Sequence, residues 1–270
     1  RSSKGTNIVN LLPLEQDEKV TSLVKVGALD ESEGYFCMIT KNGVIKRSRI
    51  DAYKNIRKSG LIAINLDEGD VLRGVKITSG DNDLVVATSK GMAIRFNEQD
   101  AREIGRTARG VRAINLDEDD WIVGMEIVSD GAKLLTVSEN GQGRRTPFDD
   151  YRLQNRGGKG IQNFKNGRVA GIGAVEDDDD VILISSDGII IRMKVGEINV
   201  QSRYAGGVRV MKVADESRVV SLEVPPKAAE EETDEGAEEE AEGENPEEGV
   251  SAKEAEEETE SAGPEAGDED

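Results

Sequence analysis

The sequence predicts an all-β repeat fold, a propeller-like ring of four-stranded blades, followed by a disordered acidic tail. Three observations predict it. A glycine recurs at Gly5, Gly60, Gly110, Gly160 and Gly207, at intervals of 55, 50, 50 and 47 residues. Hairpin-turn dipeptides recur in register with it, at Asn42-Gly43, Lys90-Gly91, Asn140-Gly141 and Asp187-Gly188. From Pro225 the composition changes abruptly. Self-similarity at a period near fifty is the mark of a repeat architecture.

Each frame glycine is followed by a strand-like run, such as Leu61–Leu66 or Val111–Leu116, and preceded by a basic residue. Arg1, Arg106, Arg156 and Arg203 stand four positions ahead of their glycine, and Arg57 three ahead. The third unit reads as strands at 111–116, 121–128, 133–138 and 143–147, joined by polar turns and leaving through a basic connector, 148–159. The third strands of the units, at 35–40, 84–88, 134–137 and 181–184, are nearly continuous branched apolar runs, which suits strands buried on both faces. Asn-Gly and Asp-Gly favour positive backbone angles in tight hairpins, and Lys90-Gly91 is the weakest of the four on that criterion. Four complete units result, 5–59, 60–109, 110–159 and 160–206, with a half unit at 207–224. A half unit at one end, and a start partway into a repeat, lead us to expect a piece of a longer protein. An unclosed ring would expose strand edges.

The net charge of -20 is not evenly spread. Residues 225–270 carry 21 acidic and 2 basic side chains, so the first 224 residues are near neutral. Glu, Ala, Gly, Thr and Pro dominate the tail, and such a segment buries too little surface to offset its ordering entropy. The body is long enough for a sizeable core. The single cysteine, Cys37, lies in the apolar run Tyr35–Ile39 and reads as a buried strand residue; it fits a reducing compartment. No apolar run approaches the length of a membrane span.

No catalytic constellation is visible. The chain has no histidine, which removes Ser-His-Asp and Cys-His arrangements and most zinc sites, and no phosphate-cradling Gly-x-x-x-x-Gly-Lys-Ser/Thr appears. The acidic run 176–180 lacks calcium-loop spacing and reads as a solvated loop.

The polar residues that recur are basic. Fourth strands and their exits carry Lys46 and Arg47, Arg95, Arg144 and Arg145, and Arg192. Connectors carry Arg57 and Lys58, Arg106 and Arg109, Arg156 and Lys159, and Arg203. Equivalent points of successive blades lie on one rim, so these residues are expected to form a curved cationic stripe. Such a stripe holds bent duplex by neutralising phosphates without reading bases. Individual arginines pairing with turn carboxylates are the structural alternative. Gly157, Gly158 and Gly160 suit a loop that turns tightly or approaches phosphate. Aromatic residues are too few for a single-strand stacking platform.

Several stretches together resemble the C-terminal domain of the A subunit of bacterial DNA gyrase: Ile8–Glu15, Ile94-Arg95-Phe96, Gly105–Val111, Gly143–Pro147 and Gln154-Asn155-Arg156-Gly157-Gly158-Lys159-Gly160. The resemblance spans about 1–224, and the acidic tail is typical too. It implies a β-pinwheel, a propeller variant whose blades exchange strands, with up to six blades, of which the first is missing here. The family's principal box, Gln-Arg-Arg-Gly-Gly-x-Gly, belongs to that first blade. The copy formed by Gln154, Arg156, Gly157, Gly158, Lys159 and Gly160 is a later, box-like connector with Asn155 where the first arginine would be. DNA contact therefore carries over to Arg156 and Lys159. The resemblance further implies wrapping of double-stranded DNA and partnership with the rest of the A subunit, as a dimer, and with the B subunit in an A2B2 enzyme. That enzyme is an ATP-hydrolysing type IIA topoisomerase of the bacterial cytoplasm and nucleoid, and it introduces negative supercoils. ATP and magnesium act through the cleavage core and the B subunit, while the domain itself needs no cofactor or metal. Tyr35, Tyr53, Tyr151 and Tyr204 lie within repeats, so none is the cleavage tyrosine and the chain alone is not an enzyme. Two other readings are the A-subunit tail of topoisomerase IV and a protein-binding propeller.

Overall fold

A computed structural model describes Leu14, Glu18 and residues 20–26, 33–57 and 60–227. The frame glycine Gly5, Lys58 and the tail beyond Lys227 lie outside these residues.

Four hairpins organise the fold: β1 (Tyr35–Thr40) with β2 (Val44–Arg49), β4 (Asp83–Thr88) with β5 (Met92–Asn97), β8 (Lys133–Ser138) with β9 (Gln142–Pro147), and β12 (Asp180–Ser185) with β13 (Ile190–Lys194). Each hairpin turn places a glycine at positive φ, at Gly43, Gly91, Gly141 and Gly188, while the residue before it stays at negative φ. The turn therefore requires positive φ at one position only. That is why Lys90-Gly91, poor for an Asn-Gly type of turn, serves as well as the others.

The repeat read from the sequence is not the blade. A longer strand from the chain downstream adds to the first strand of each hairpin: β3 (Leu72–Thr78) to β1, β7 (Ile122–Ile127) to β4, β11 (Val169–Val175) to β8, and β15 (Val219–Glu223) to β12. A two-residue strand from further downstream caps the other edge. β6 (Val111–Arg112) caps β2, β10 (Ile161–Gln162) caps β5, and β14 (Val208–Arg209) caps β9. The four strands assigned to unit 110–159 thus belong to three different sheets. This is the strand exchange of a pinwheel, and among the described residues no strand caps β13.

The cores lie between successive sheets. Cys37, Ile39 and Ile45 of the first sheet pack with Leu84, Val86, Ile94 and Phe96 of the second. Phe148, Tyr151, Phe164 and Val169 join the second to the third, and Leu135, Val137, Val181 and Leu183 join the third to the fourth. β3, β7, β11 and β15 pack in succession along the inner side.

The frame glycines open the cap strands. Gly110, Gly160 and Gly207 all have positive φ. A β-carbon on Gly110 would lie 2.6 Å from the Ile45 carbonyl oxygen, and one on Gly207 would lie 2.8 Å from that of Gly143. On Gly160 it would come closer still to the Ala93 carbonyl oxygen. Gly60 shares the positive φ but has nothing within 4 Å. Gly160→Ala is therefore expected to cost about 2–4 kcal/mol, through backbone strain plus the clash. Gly60→Ala should cost only about 1 kcal/mol, through strain alone. Urea denaturation of the two variants separates the two contributions.

Cys37 is fully buried against Thr78 and Glu98. Burial pushes its thiol from an ordinary 9.0 up to about 12. The unfolded chain ionises first, so this group's contribution to stability is present below pH 9 and lost between 9 and about 12. Denaturant titrations above pH 9 should show wild-type stability falling by up to about 1.4 kcal/mol per pH unit more than that of Cys37→Ala.

Candidate nucleic-acid interface

The recurring basic residues divide into an inner set and an outer set. Lys46, Arg47, Arg144 and Arg145 are buried, which corrects the expectation that they line an exposed rim. Most of their N–H groups go to carbonyls, although the buried Arg144 Nη1 has no partner and Arg145 Nη1 goes to the Asp177 carboxylate. Arg47 Nε donates to Ala101 O at 3.0 Å, Arg95 donates to Phe148 O at 3.1 Å, and Arg145 Nε donates to Ile198 O at 2.6 Å. Each of these arginines reaches from its own sheet to the exit turn of the next hairpin. The exit chain then runs parallel to the arginine's strand, through bridges Arg47↔Glu103, Arg95↔Leu153 and Arg145↔Val200. The in-register arginines are thus staples between blades. Acids complete two of the joints: Glu98 lies 3.7 Å from Arg47 and Asp177 pairs with Arg145, whereas Asp83, 2.9 Å from Arg95, belongs to Arg95's own hairpin. Arg192, the fourth in register, has no following hairpin to grip among the described residues. It is mostly exposed and turns back onto Asp180.

Lys46 and Arg144 perform a second task, at equivalent positions of the first and third sheets. Lys46 Nζ donates to Ala63 O at 2.6 Å and to Arg106 O. Arg144 donates to Asn163 O, to Ser202 O at 3.1 Å and to Arg203 O at 2.6 Å. Both sew a cap segment to the connector after it. Burial pushes the Lys46 ammonium down to about 8 and lowers Arg144 as well. A buried guanidinium with its donors on carbonyls is not available to a phosphate.

The outer set lies on the connectors, which run along the outer edges of β2, β5 and β9 and dock on one another. Asn65 N donates to Ala108 O at 3.5 Å. Gly157 N donates to Ala113 O at 2.6 Å, Asn115 N to Gly158 O at 2.8 Å, and Asn166 Nδ2 to Gly206 O at 3.2 Å. The result is a continuous belt of connectors. Within it, Arg156 donates to Arg112 O at 2.8 Å, and Arg203 donates to Gln162 O at 2.9 Å. These two carbonyls occupy the same place, two residues after a frame glycine. The arginines four residues before Gly160 and Gly207 therefore buckle their loops to the preceding cap strand. In the box-like segment, Gln154 N donates to Arg95 O at 2.9 Å, and Gly157 and Gly160 take positive φ. Arg156 is partly exposed there, and Gly158 and Lys159 are exposed.

Arg57, Arg109 and Lys159 are exposed and Arg106 is half-buried, so these predicted residues do face outward. Lys58 falls outside the described residues. The belt also displays Arg112, Lys165, Arg209 and Lys212, all exposed, which the sequence pattern alone does not single out. They stand two or five residues after a frame glycine. Counting offsets forward from the glycine, as well as backward, would have found them. The acidic run 176–180 gathers protein cations: Lys227 Nζ lies 2.8 Å from Glu176 and 3.0 Å from Asp178, and Lys133 lies 2.9 Å from Asp177.

The sequence profile described as DNA gyrase C-terminal domain, beta-propeller, matches residues 34–79, 82–129, 132–176 and 179–226. The chain belongs to the DNA gyrase C-terminal domain family. Each matched stretch starts at a hairpin and ends with the inner strand added to it, so the profile follows the blades seen in the structure. The A subunit of DNA gyrase from Clostridium acetobutylicum is 51% identical over 226 residues, covering 82% of this chain and 27% of that protein. Its counterpart from Halalkalibacterium halodurans is 49% identical over 226 residues, with the same coverage. The chain thus spans about a quarter of the length of these relatives. Among solved structures, a DNA gyrase A C-terminal domain is similar at a TM-score of 0.73 and 28% identity, over 82% of this chain and 75% of that one. The C-terminal domain of a DNA topoisomerase IV is similar at 0.76 and 28%, over 82% and 70%. No helix among the described residues is long and apolar enough to cross a membrane.

Proposed function

We propose that this gyrase C-terminal domain holds bent double-stranded DNA along its connector belt, largely without sequence preference. The observation that carries this reading is the belt itself: exposed cations at fixed offsets from the frame glycine, repeated from blade to blade and kept off the inter-blade joints. Phosphates along one face of a curved duplex recur too, and a repeated cationic edge meets them without touching base edges. Bending costs the duplex elastic energy, which phosphate contacts offset. The buried staples contribute indirectly, by fixing the spacing of the outward cations.

In the whole enzyme the wrapped segment would be presented for strand passage by the A-subunit dimer together with the B subunit. ATP hydrolysis by the latter would then drive negative supercoiling. The domain's part is binding and bending; cleavage, ATP and magnesium belong to those other parts, and the setting is the cytoplasm and nucleoid. The likeness to the topoisomerase IV domain supports a second reading of the same kind, but the sequence relatives at 49% and 51% identity are gyrase subunits.

The test is a salt titration of binding to linear duplex, joined to a linking-number readout after nicking and sealing closed circular DNA. Affinity falling steeply with salt, with a shift in linking number, supports wrapping. Binding without the shift leaves a DNA grip and removes the wrap. No binding at low salt overturns the reading in favour of a protein-binding propeller.

A further inference from the structure

The belt cations are not equally available. Arg109 pairs with Asp67 at 2.8 Å and Lys159 with Asp117 at 3.0 Å, and all four side chains are more than half exposed. Each cation stands one residue before its frame glycine. Each acid stands seven residues after the preceding frame glycine. The two pairs are therefore the same contact, made twice, and each crosses from one connector to the next. At the third joint the cation position is Gly206 and the acid position is Gly167. Cation and acid are present together at two joints and absent together at the third. There, Tyr204 is 61% exposed and carries the Arg203 guanidinium 4.1 Å and the Lys165 ammonium 5.7 Å from its ring centre. Lys165 has no ion pair within 4 Å among the described residues, and it is exposed.

We propose that Asp67 and Asp117 are gates on the belt. A phosphate at Arg109 or Lys159 must compete with the carboxylate already paired there, while the third joint has no such acid. A duplex then seats first at Lys165, Arg203 and Tyr204, and the wrap extends from there toward the second and first joints. This inference rests on the DNA-binding reading and adds to it an order of engagement. The physics is modest and specific. An exposed ion pair must be broken at each gated joint, and the displaced carboxylate stays within a Debye length of the incoming phosphate, about 10 Å at 0.1 M salt, so that it repels. Each gate is expected to weaken binding by up to about fivefold.

The experiment uses the whole chain, linear duplex DNA and lysine acetylation footprinting read by mass spectrometry. In the wild type, Lys165 is expected to be protected at a lower DNA concentration than Lys159. Asp117→Asn should bring the Lys159 midpoint down to that of Lys165. Asp67→Asn combined with Asp117→Asn should tighten binding to long duplex several-fold at low salt, with the gain fading as salt rises. Asp187→Asn removes the same charge from the turn between β12 and β13, away from the belt, and should change little. All variants should melt with the wild type. Lys159 protected together with Lys165 in the wild type, or a double variant no different from Asp187→Asn, overturns the gates and leaves DNA binding standing. A wild-type chain that binds no duplex overturns both.

Discussion

Arg144→Ala is expected to lower the stability of the body by about 3–5 kcal/mol, the cost of opening a buried, hydrogen-bonded charge site. The side chain is fully buried and donates to the carbonyls of Asn163, Ser202 and Arg203. Its guanidinium also lies 5.1 Å from the centre of the Phe164 ring. Truncation removes the donors and leaves three carbonyls facing a cavity, so desolvated acceptors add to the loss of packing. The three carbonyls belong to the segment after cap strand β10 and to the connector that follows the fourth hairpin, so the damage should spread along the belt. Urea denaturation reads the loss, and hydrogen exchange should show β14 and the 202–206 connector opening first. Arg144→Lys should recover part of the stability, because Lys46 fills the equivalent place in the first sheet with an ammonium on two carbonyls. A variant within about 1 kcal/mol of wild type would mean that water replaces the guanidinium and that the sewing role is wrong.

How much of this was legible in the sequence depends on the range of the interaction. Turn glycines act locally, so Gly43, Gly91, Gly141 and Gly188 marked the hairpins directly. The frame glycine was equally visible, but its reason was not. Gly160 is required by a carbonyl far upstream, on Ala93 in the second hairpin, and no local pattern reports that approach. Strand exchange was hidden for the same cause. Val111 looks like the first strand of the blade that follows it, yet it pairs with Ile45 two hairpins earlier. A periodic sequence reports the repeat length faithfully, but not which repeat a strand pairs with, since the same strand suits every edge. The basic residues show a further ambiguity. Periodic arginines on alternate strand positions are consistent with either a rim or a set of joints. Arg47, Arg95 and Arg145 became joints because each finds a turn of the next hairpin rich in free carbonyls. Arg109 and Lys159 stayed outside, each exposed and paired with an acid of the neighbouring connector. The immediate neighbours do not report the division: buried Arg144 follows Gly143, while exposed Arg112 and Arg209 sit in strands between apolar residues.

Replacing five belt cations together, Arg109, Lys159, Lys165, Arg209 and Lys212, by alanine is expected to weaken duplex binding by about a hundredfold or more at low salt. The slope of log affinity against log salt should fall by about 0.9 for each phosphate that is no longer neutralised, about 4.5 for all five. All five side chains are exposed, so stability should change by less than about 0.5 kcal/mol at each site. This separates the variant from Arg144→Ala, which damages binding by damaging the fold. The slope is the decisive quantity. A general loss of positive charge weakens long-range attraction and slows association, but it does not remove a fixed number of phosphate neutralisations. A belt that grips the backbone loses its slope in steps, and single alanine variants should each take about one step. Arg192→Ala provides the counter-case. Its guanidinium is exposed and basic in register, but it sits on β13, paired with Asp180; among the described residues no strand caps β13 and no connector carries it onto the belt. Its slope should match wild type. A full set of single variants in which Arg192 and Lys159 count equally would show that the cationic surface acts as a diffuse field, and that the connector belt is not the path of the DNA.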